Sequence, residues 1–360
     1  MKIIFDNIIY SLQKAGGISM YWAELTKRAL SNDVLFYEQK NENIFRRDLK
    51  IPTIGESPIP SSILRYLPFF RKLPTDSIFH SSYYRSAIQR NITNIITVYD
   101  FTYEKYRSGP ARALHSWQKY NAINKADGVI CISNNTRDDL YEFMPDLDRG
   151  KVKTIYISAD DDFFQIKDSM LSVVSSKFNQ LTDKKIILFV GDRMSRYKNF
   201  KLAVEAVEAL KEFVLVSVGS GPITNHEKTF IDKKIGKRFY HFRSISKSEL
   251  NILYNISYCL LYPSSYEGFG IPILEAMRAG CPVVTTNSSS IPEVAGNAAI
   301  LLNEIKTSSF VNSIYSLDNK SYSEDLIQKG LLQSRKFSWD KCFKETFEFY
   351  ETIVNRNTQK

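Results

Sequence analysis

Apolar runs recur along the whole 360-residue chain, and most are continuous rather than alternating. Continuous runs predict strands covered on both faces. They fall at 2–5, 92–98, 128–132, 152–155, 186–190, 214–218, 258–262 and 282–285. Stretches of helical period lie between them, at 17–30, 114–125, 199–210, 246–255 and 271–279. This rhythm predicts an α/β chain with doubly wound parallel sheets. The pattern lapses over 160–185 into an acidic cluster and a polar stretch, then resumes with the strand IILFVG. The expected division is a first domain at 1–165, a linker at 166–183 and a second domain at 184–336. The closing segment spaces Trp339, Phe343, Phe347 and Tyr350 along one face of a long helix, 337–360, with 355–360 frayed.

Composition narrows the class. Apolar residues make up 43% and charged ones 24%, which excludes disorder, collagen and coiled coil for most of the chain. The length itself favours two domains of roughly 150–200 residues. Lysine and arginine number 48 against 39 acidic residues, a net charge of +9. Such an excess favours an anionic partner: nucleic acid, a nucleotide or an acidic membrane surface. No window has the ~18 consecutive apolar residues of a membrane span, and the start, MKIIFDNIIY, reads as a strand and not a signal peptide. Cys131, Cys259, Cys281 and Cys342 are scattered without a paired motif, so buried free thiols in a reducing cytosol are expected.

The densest chemistry lies at 264–296, SSYEGFGIPILEAMRAGCPVVTTNSSSIPEVAG. Glu267 and Glu275 stand eight apart, and Gly268, Gly270 and Pro272 form a tight turn that opens a helix. Free N–H groups at such a helix start suit a phosphate, and the two carboxylates can face one ligand. Each glutamate alone reads more readily as a dipole-friendly helix start than as a ligand-binding group.

This run resembles the Glu-x7-Glu signature of the retaining glycosyltransferases of family 4, which have the GT-B fold; only Arg278 departs from the short pattern. The resemblance implies two Rossmann-like domains facing across a cleft, with the last helix returning to the first domain. It implies hexosyl transfer from a nucleotide sugar without a metal or other cofactor. Gly268, Phe269, Gly270, Ile271 and Glu275 then hold the donor, with Glu267 on the sugar hydroxyls. GDRMSRYKN is similar to the family's diphosphate element, which makes Arg193 and Lys198 the gripping cations and leaves Arg196 a surface residue. Gly16 and Gly17 match the family's glycine loop near the transferred sugar. ITVYDFTYEKY resembles a strand end that carries a catalytic-side Asp100, with Tyr99 where histidine is common; Asp100 reads otherwise as a helix cap. IFHSSYYR and CISNNTRDDL resemble acceptor-side elements and contribute His80 and Ser133, with His80 reading equally well as a satisfied structural residue and Thr136 as a capping residue. Arg243 stands where the family usually has a glycine near the nucleobase.

SSILRYLPFFRKLP, at 61–74, interleaves Ile63, Leu64, Tyr66, Leu67, Phe69 and Phe70 with Arg65, Arg71 and Lys72. It suits an anionic membrane interface, or a core-packing helix with a basic edge, and both readings stay open. The resemblance favours GDP-mannose or a GDP-deoxysugar as donor. The acceptor would be a lipid-linked or polysaccharide glycan of O-antigen or capsule type, with the protein cytoplasmic or peripheral on the inner membrane face. A GT-B nucleotide-sugar epimerase and a non-catalytic basic binding protein are the alternatives. Recognition-helix, zinc and stacking-platform motifs are missing from the sequence, which disfavours nucleic acid.

Overall fold

A computed structural model describes residues 2–31, 33–167, 169–171, 175–181 and 183–358. Within the expected linker 166–183, residues 168, 172–174 and 182 lie outside the described residues, as do 359 and 360 at the expected frayed end. The chain divides into two compact units, Met1–Ile157 with Ser338–Lys360, and Ser158–Phe337.

The first unit is built on seven strands: β1 (Ile3–Asp6), β2 (Val34–Glu38), β3 (Ile54–Gly55), β4 (Ser77–Ser81), β5 (Ile92–Val98), β6 (Gly128–Cys131) and β7 (Val152–Thr154). Their order is β3-β2-β1-β4-β5-β6-β7, all parallel. Ile3 pairs with Val34 on one side and Ile78 on the other, so the order reverses between β1 and β4. In open parallel sheets ligands bind beyond the strand carboxyl ends at such a reversal. The last helix, Trp339–Thr358, packs on the helix Gly17–Arg28 and on β5 and β6. It fits because β6 starts with Gly128: a Cβ there would lie 2.6 Å from Ile95 Cδ1 and 2.9 Å from Ile353 Cγ1. Its buried face runs through Trp339, Cys342, Thr346, Phe349, Tyr350 and Ile353. The expected stripe of Phe343 and Phe347 is only half-buried, because steps of four drift progressively off one face of a 3.6-residue helix.

The second unit has six strands: β8 (Lys185–Val190), β9 (Phe213–Val218), β10 (Phe239–Phe242), β11 (Cys259–Tyr262), β12 (Val283–Thr286) and β13 (Ile300–Leu302). Their order is β10-β9-β8-β11-β12-β13, again parallel, and it reverses between β8 and β11. Ile187, Phe189, Leu215 and Leu261 pack against Ala203 and Val207 of the helix Phe200–Ala209 to form one core. Residues 158–165, expected in the first domain, belong here. Lys247 pairs with Asp160, the Phe164 N–H donates to Asn251 Oδ1 (3.1 Å), and Arg278 donates to Asp161 (2.7 Å), Ser158 Oγ (3.1 Å) and the Phe337 carbonyl (3.0 Å). All four cysteines are buried and free. Among the described residues no helix is long and apolar enough to cross a membrane.

Candidate active site

In the second unit the loops after β8 and β11 leave the sheet side by side at its reversal point. Asn199 ties them together, its Nδ2 donating to the Pro263 carbonyl and to Ser265 Oγ, both at 2.8 Å. The Ser265 N–H returns a bond to the Tyr197 carbonyl at 2.7 Å. Asn199 reaches this position in the left-handed region (φ 52°), a conformation asparagine tolerates better than most residues. The tie brings Lys198 Nζ to 3.0 Å from Tyr262 Oη and 2.5 Å from Glu267 Oε1.

The β11 loop is itself held from β12. Ser289 Oγ donates to the Glu267 carbonyl (2.6 Å) and accepts its N–H (3.2 Å), while Ser290 Oγ lies 2.9 Å from the Glu267 and Phe269 carbonyls. These two serines were not among the expected site residues; the triple serine after β12 was the available signal. Gly270 caps the helix Ile271–Arg278 at φ +105°, a conformation that selects glycine, and Pro272 fills the first turn. The backbone of Gly268–Ile271 thus opens a helix beside Glu267. Phe269 lies edge-on to Phe337, with centroids 5.7 Å apart, so its side chain packs the loop instead of reaching a ligand. Glu275, one turn into the helix, accepts a 2.8 Å bond from Tyr254 Oη. Burial pushes its carboxyl up to about 7.

Arg193 does not sit as expected. Its side chain is wholly enclosed and donates to Glu227 (3.2 Å), the carbonyls of Gly219 (3.2 Å) and Gly221 (3.0 Å), and the His241 ring. A guanidinium so enclosed braces the loops that follow β8 and β9 and has no donor turned outward. Arg196, expected to be a surface residue, is the exposed guanidinium next to Lys198. Arg243 is exposed just past β10.

In the first unit, Gly16 precedes the helix Gly17–Arg28, and its carbonyl accepts from Ser19 Oγ (3.0 Å) and the Met20 N–H (3.0 Å). A Cβ at Gly16 would meet Gln13 Oε1 at 2.7 Å. Asp100 is half-buried; Oδ1 accepts the Thr102 N–H at 2.8 Å, the capping role its sequence context allowed. Three expected acceptor-side residues turn out to be internal. His80 is fully buried between Tyr350 Oη (2.6 Å) and Thr97 Oγ1 (2.9 Å), and burial lowers its pKa to about 3. Tyr99 is buried, with its hydroxyl on the Ser82 carbonyl (3.1 Å). Ser133 caps the helix Asn134–Phe143 through the Thr136 N–H (3.0 Å) and donates to Thr136 Oγ1 (2.9 Å).

At the β1/β4 reversal, Arg85 holds two buried carboxylates, Asp6 (3.1 Å) and Glu56 (2.5 Å). Burial raises the Asp6 pKa to about 6. Among the described residues no three His, Cys, Asp or Glu side chains are grouped so as to hold a metal ion.

Residues 174–330 match the family of glycosyl transferases group 1. The O-antigen chain mannosyltransferase B of Escherichia coli is 25% identical over 397 aligned positions, which cover 98% of this chain and 100% of the relative. The structure superposes on sucrose-phosphate synthase from Thermosynechococcus elongatus with a TM-score of 0.76 at 18% identity, covering 99% and 100% of the two chains. It superposes on Anabaena HepE in complex with UDP-glucose at 0.74 and 14%, again covering 99% and 100%. Residues 174–330 are thus a group 1 glycosyl transferase domain, and the chain's two parallel-sheet, Rossmann-like units have the architecture of GT-B glycosyltransferases.

Proposed function

We propose that this glycosyltransferase moves a hexose, with retention, from a nucleotide sugar to a lipid-linked or polysaccharide acceptor in O-antigen or capsule-type synthesis. The observation that carries the reading is Lys198 held 2.5 Å from Glu267, beside a glycine turn that opens a helix. When the donor's C1–O bond breaks, charge grows on the departing diphosphate. Lys198, the exposed Arg196 and the N–H groups at Gly268–Ile271 neutralise it without a metal. Glu267 accepts from sugar hydroxyls and Glu275 from the ribose. The acceptor hydroxyl forms its bond to C1 on the face the leaving group vacates and passes its proton to the departing phosphate oxygen. The E. coli relative, a mannosyltransferase of O-antigen chains, supports mannose as the sugar transferred; the complex of HepE with UDP-glucose supports a nucleotide sugar as the donor class; we take GDP-mannose or a GDP-deoxysugar as that donor.

The 61–74 stretch supports a peripheral place on the cytoplasmic face of an anionic membrane. Leu64, Phe69 and Leu73 are buried, and Phe69 and Leu73 join the core around Ile4 and Phe79. Ile63 (56% exposed) and Phe70 (58%) project outward; Ile88 (61%) adjoins them through the bridge between Phe69 and Ala87, and Lys72 and Arg90 are exposed nearby in sequence. Apolar side chains fringed by cations suit an acidic lipid surface.

The test is a panel of nucleotide sugars read by thermal shift, followed by transfer with the product anomer assigned by NMR. A GDP-sugar should raise Tm most and give a product of the donor's anomeric configuration. Donor turnover without an acceptor, or an inverted product, would overturn the reading.

A further inference from the structure

We infer that Tyr262 is a positioning residue of the donor site: its hydroxyl holds Glu267 in place while Lys198 is shared with the departing diphosphate. This role rests on the transferase reading above, and Tyr262 acts through the two charged residues. Lys198 and Glu267 stand on loops, whereas Tyr262 is the last residue of β11, paired with Thr285 of β12 and only 2% exposed. Its carbonyl accepts from Thr285 Oγ1 at 2.6 Å, so the ring is carried by the sheet itself. Lys198 Nζ lies 3.0 Å from Tyr262 Oη, 5.1 Å from the ring centroid and 2.5 Å from Glu267 Oε1. The same hydroxyl hydrogen-bonds Glu267, and the three groups close a triangle.

Chemistry fixes the direction of each bond. An ammonium only donates and a carboxylate only accepts. The hydroxyl must then take an N–H from Lys198 and give its own proton to Glu267. Burial, then the charge of Glu267, raises the Tyr262 pKa well above that of a free tyrosine, so the hydroxyl keeps its proton. Lys198 donates to Tyr262 and Glu267, and its third N–H is left for a ligand.

A diphosphate that takes this N–H draws the ammonium away from Glu267, because one positive charge then faces two anions. The Glu267 side chain is only 11% exposed, so water is a poor replacement for the donor it loses. The Tyr262 O–H stays on the carboxylate and keeps it aimed at the sugar. An apolar ring in its place would leave Glu267 and the diphosphate competing for Lys198, to the cost of both.

Calorimetric titration of the full chain with GDP and with UDP tests this as a double-mutant cycle, read on whichever nucleotide the wild type binds more tightly. Tyr262→Phe keeps the ring and should still unfold in one sharp transition. It should weaken nucleotide binding roughly tenfold, the worth of one hydrogen bond to a charged group. On a Glu267→Ala background the same change should weaken it no more than about twofold, since no carboxylate is left to hold. A packing role alone would give equal losses in the two backgrounds. That result, or wild-type affinity in Tyr262→Phe, overturns the inference. Lys198→Ala is the control for the donor site. If it binds GDP and UDP as the wild type does, or if the wild type binds neither, the donor assignment fails and the role of Tyr262 with it. If Lys198→Ala loses binding while Tyr262→Phe does not, only the role of Tyr262 falls.

Discussion

Lys198 Nζ stands 2.5 Å from Glu267 Oε1, although the two residues come from loops that follow different strands. The ammonium fixes the carboxylate and the carboxylate fixes the ammonium, and on the proposed reading the pair faces the donor sugar and its diphosphate. Lys198→Ala and Glu267→Ala should each lower kcat/KM by roughly 10²–10³-fold, the usual cost of removing one charge-stabilising group. Both side chains are mostly enclosed, so Tm should be measured alongside. Near wild-type transfer by either variant would break the assignment.

Arg193 and Arg196 should separate cleanly. Arg193→Ala removes the donor that faces Glu227 and two carbonyls, and should cost about 3 kcal/mol, as when one partner of a buried ion pair is lost. Arg196→Ala should leave Tm unchanged and weaken nucleoside diphosphate binding in titration calorimetry. If Arg196→Ala binds GDP and UDP as the wild type does, the exposed guanidinium is not a diphosphate ligand.

Glu275 gives a pH signature. Its pKa is raised by burial from 4.5 to about 7, so the folded chain holds a proton there that the unfolded chain loses at lower pH. Between about pH 4.5 and 7 the unfolded state therefore binds fewer protons, and stability falls as pH rises through that window. Asp6 adds the same trend between 3.8 and about 6. Urea midpoints for Glu275→Gln should decline less than those of the wild type from pH 5 to pH 7.5. Parallel pH profiles for the two proteins would remove Glu275 as the source.

Much of this was legible in the sequence, and what was not has identifiable causes. Central strands such as β5, β9 and β11 are covered on both faces and show as unbroken apolar runs. The edge strands β3, β10 and β13 have exposed or half-covered residues and carry no such signal, and β2 next to one edge is similar, whereas the edge strand β7 was legible at 152–155. The central strand β4 is buried throughout but was not expected, because its Ser77, His80 and Ser81 break the apolar run. The Glu267–Glu275 stretch was readable because backbone geometry ties glycine and proline to fixed positions in it. That Arg193 turns inward was not, since that depends on partners 26 to 48 residues away: Gly219, Glu227 and His241. The choice between a cleft and a structural role for His80 was illegible for the same reason, because its partner Tyr350 lies 270 residues on, in the returning helix.

Arg278, the single departure from the family run, holds Ser158 and Phe337, the two terminal residues of the second unit, and also Asp161. Arg278→Ala returns the smaller residue of the family pattern and removes these bonds. It should lower stability by about 1–2 kcal/mol, the net worth of one or two hydrogen bonds to a charged group. Differential scanning calorimetry would check it, and a Tm equal to that of the wild type would show that the three contacts contribute nothing net.

Phe69 and Phe70 are adjacent, yet they should behave in opposite ways. Phe69 is fully buried, packs on Tyr37 at 5.0 Å and Phe79 at 4.9 Å, and lies under the Arg85 guanidinium. Phe69→Ser should cost at least the ~3–5 kcal/mol typical of truncating a core phenylalanine. Phe70 is exposed beside Arg71 and Lys72, so Phe70→Ser should leave Tm within about 1 °C, as is usual for surface changes. Paired with Ile63→Ser, it should reduce co-sedimentation with vesicles of phosphatidylglycerol and phosphatidylethanolamine. Raising salt should weaken wild-type binding, because the cations beside the apolar residues act through a screened field. Equal bound fractions for the wild type and the Ile63→Ser/Phe70→Ser protein would mean that this face does not meet lipid, whatever the behaviour of Phe69→Ser.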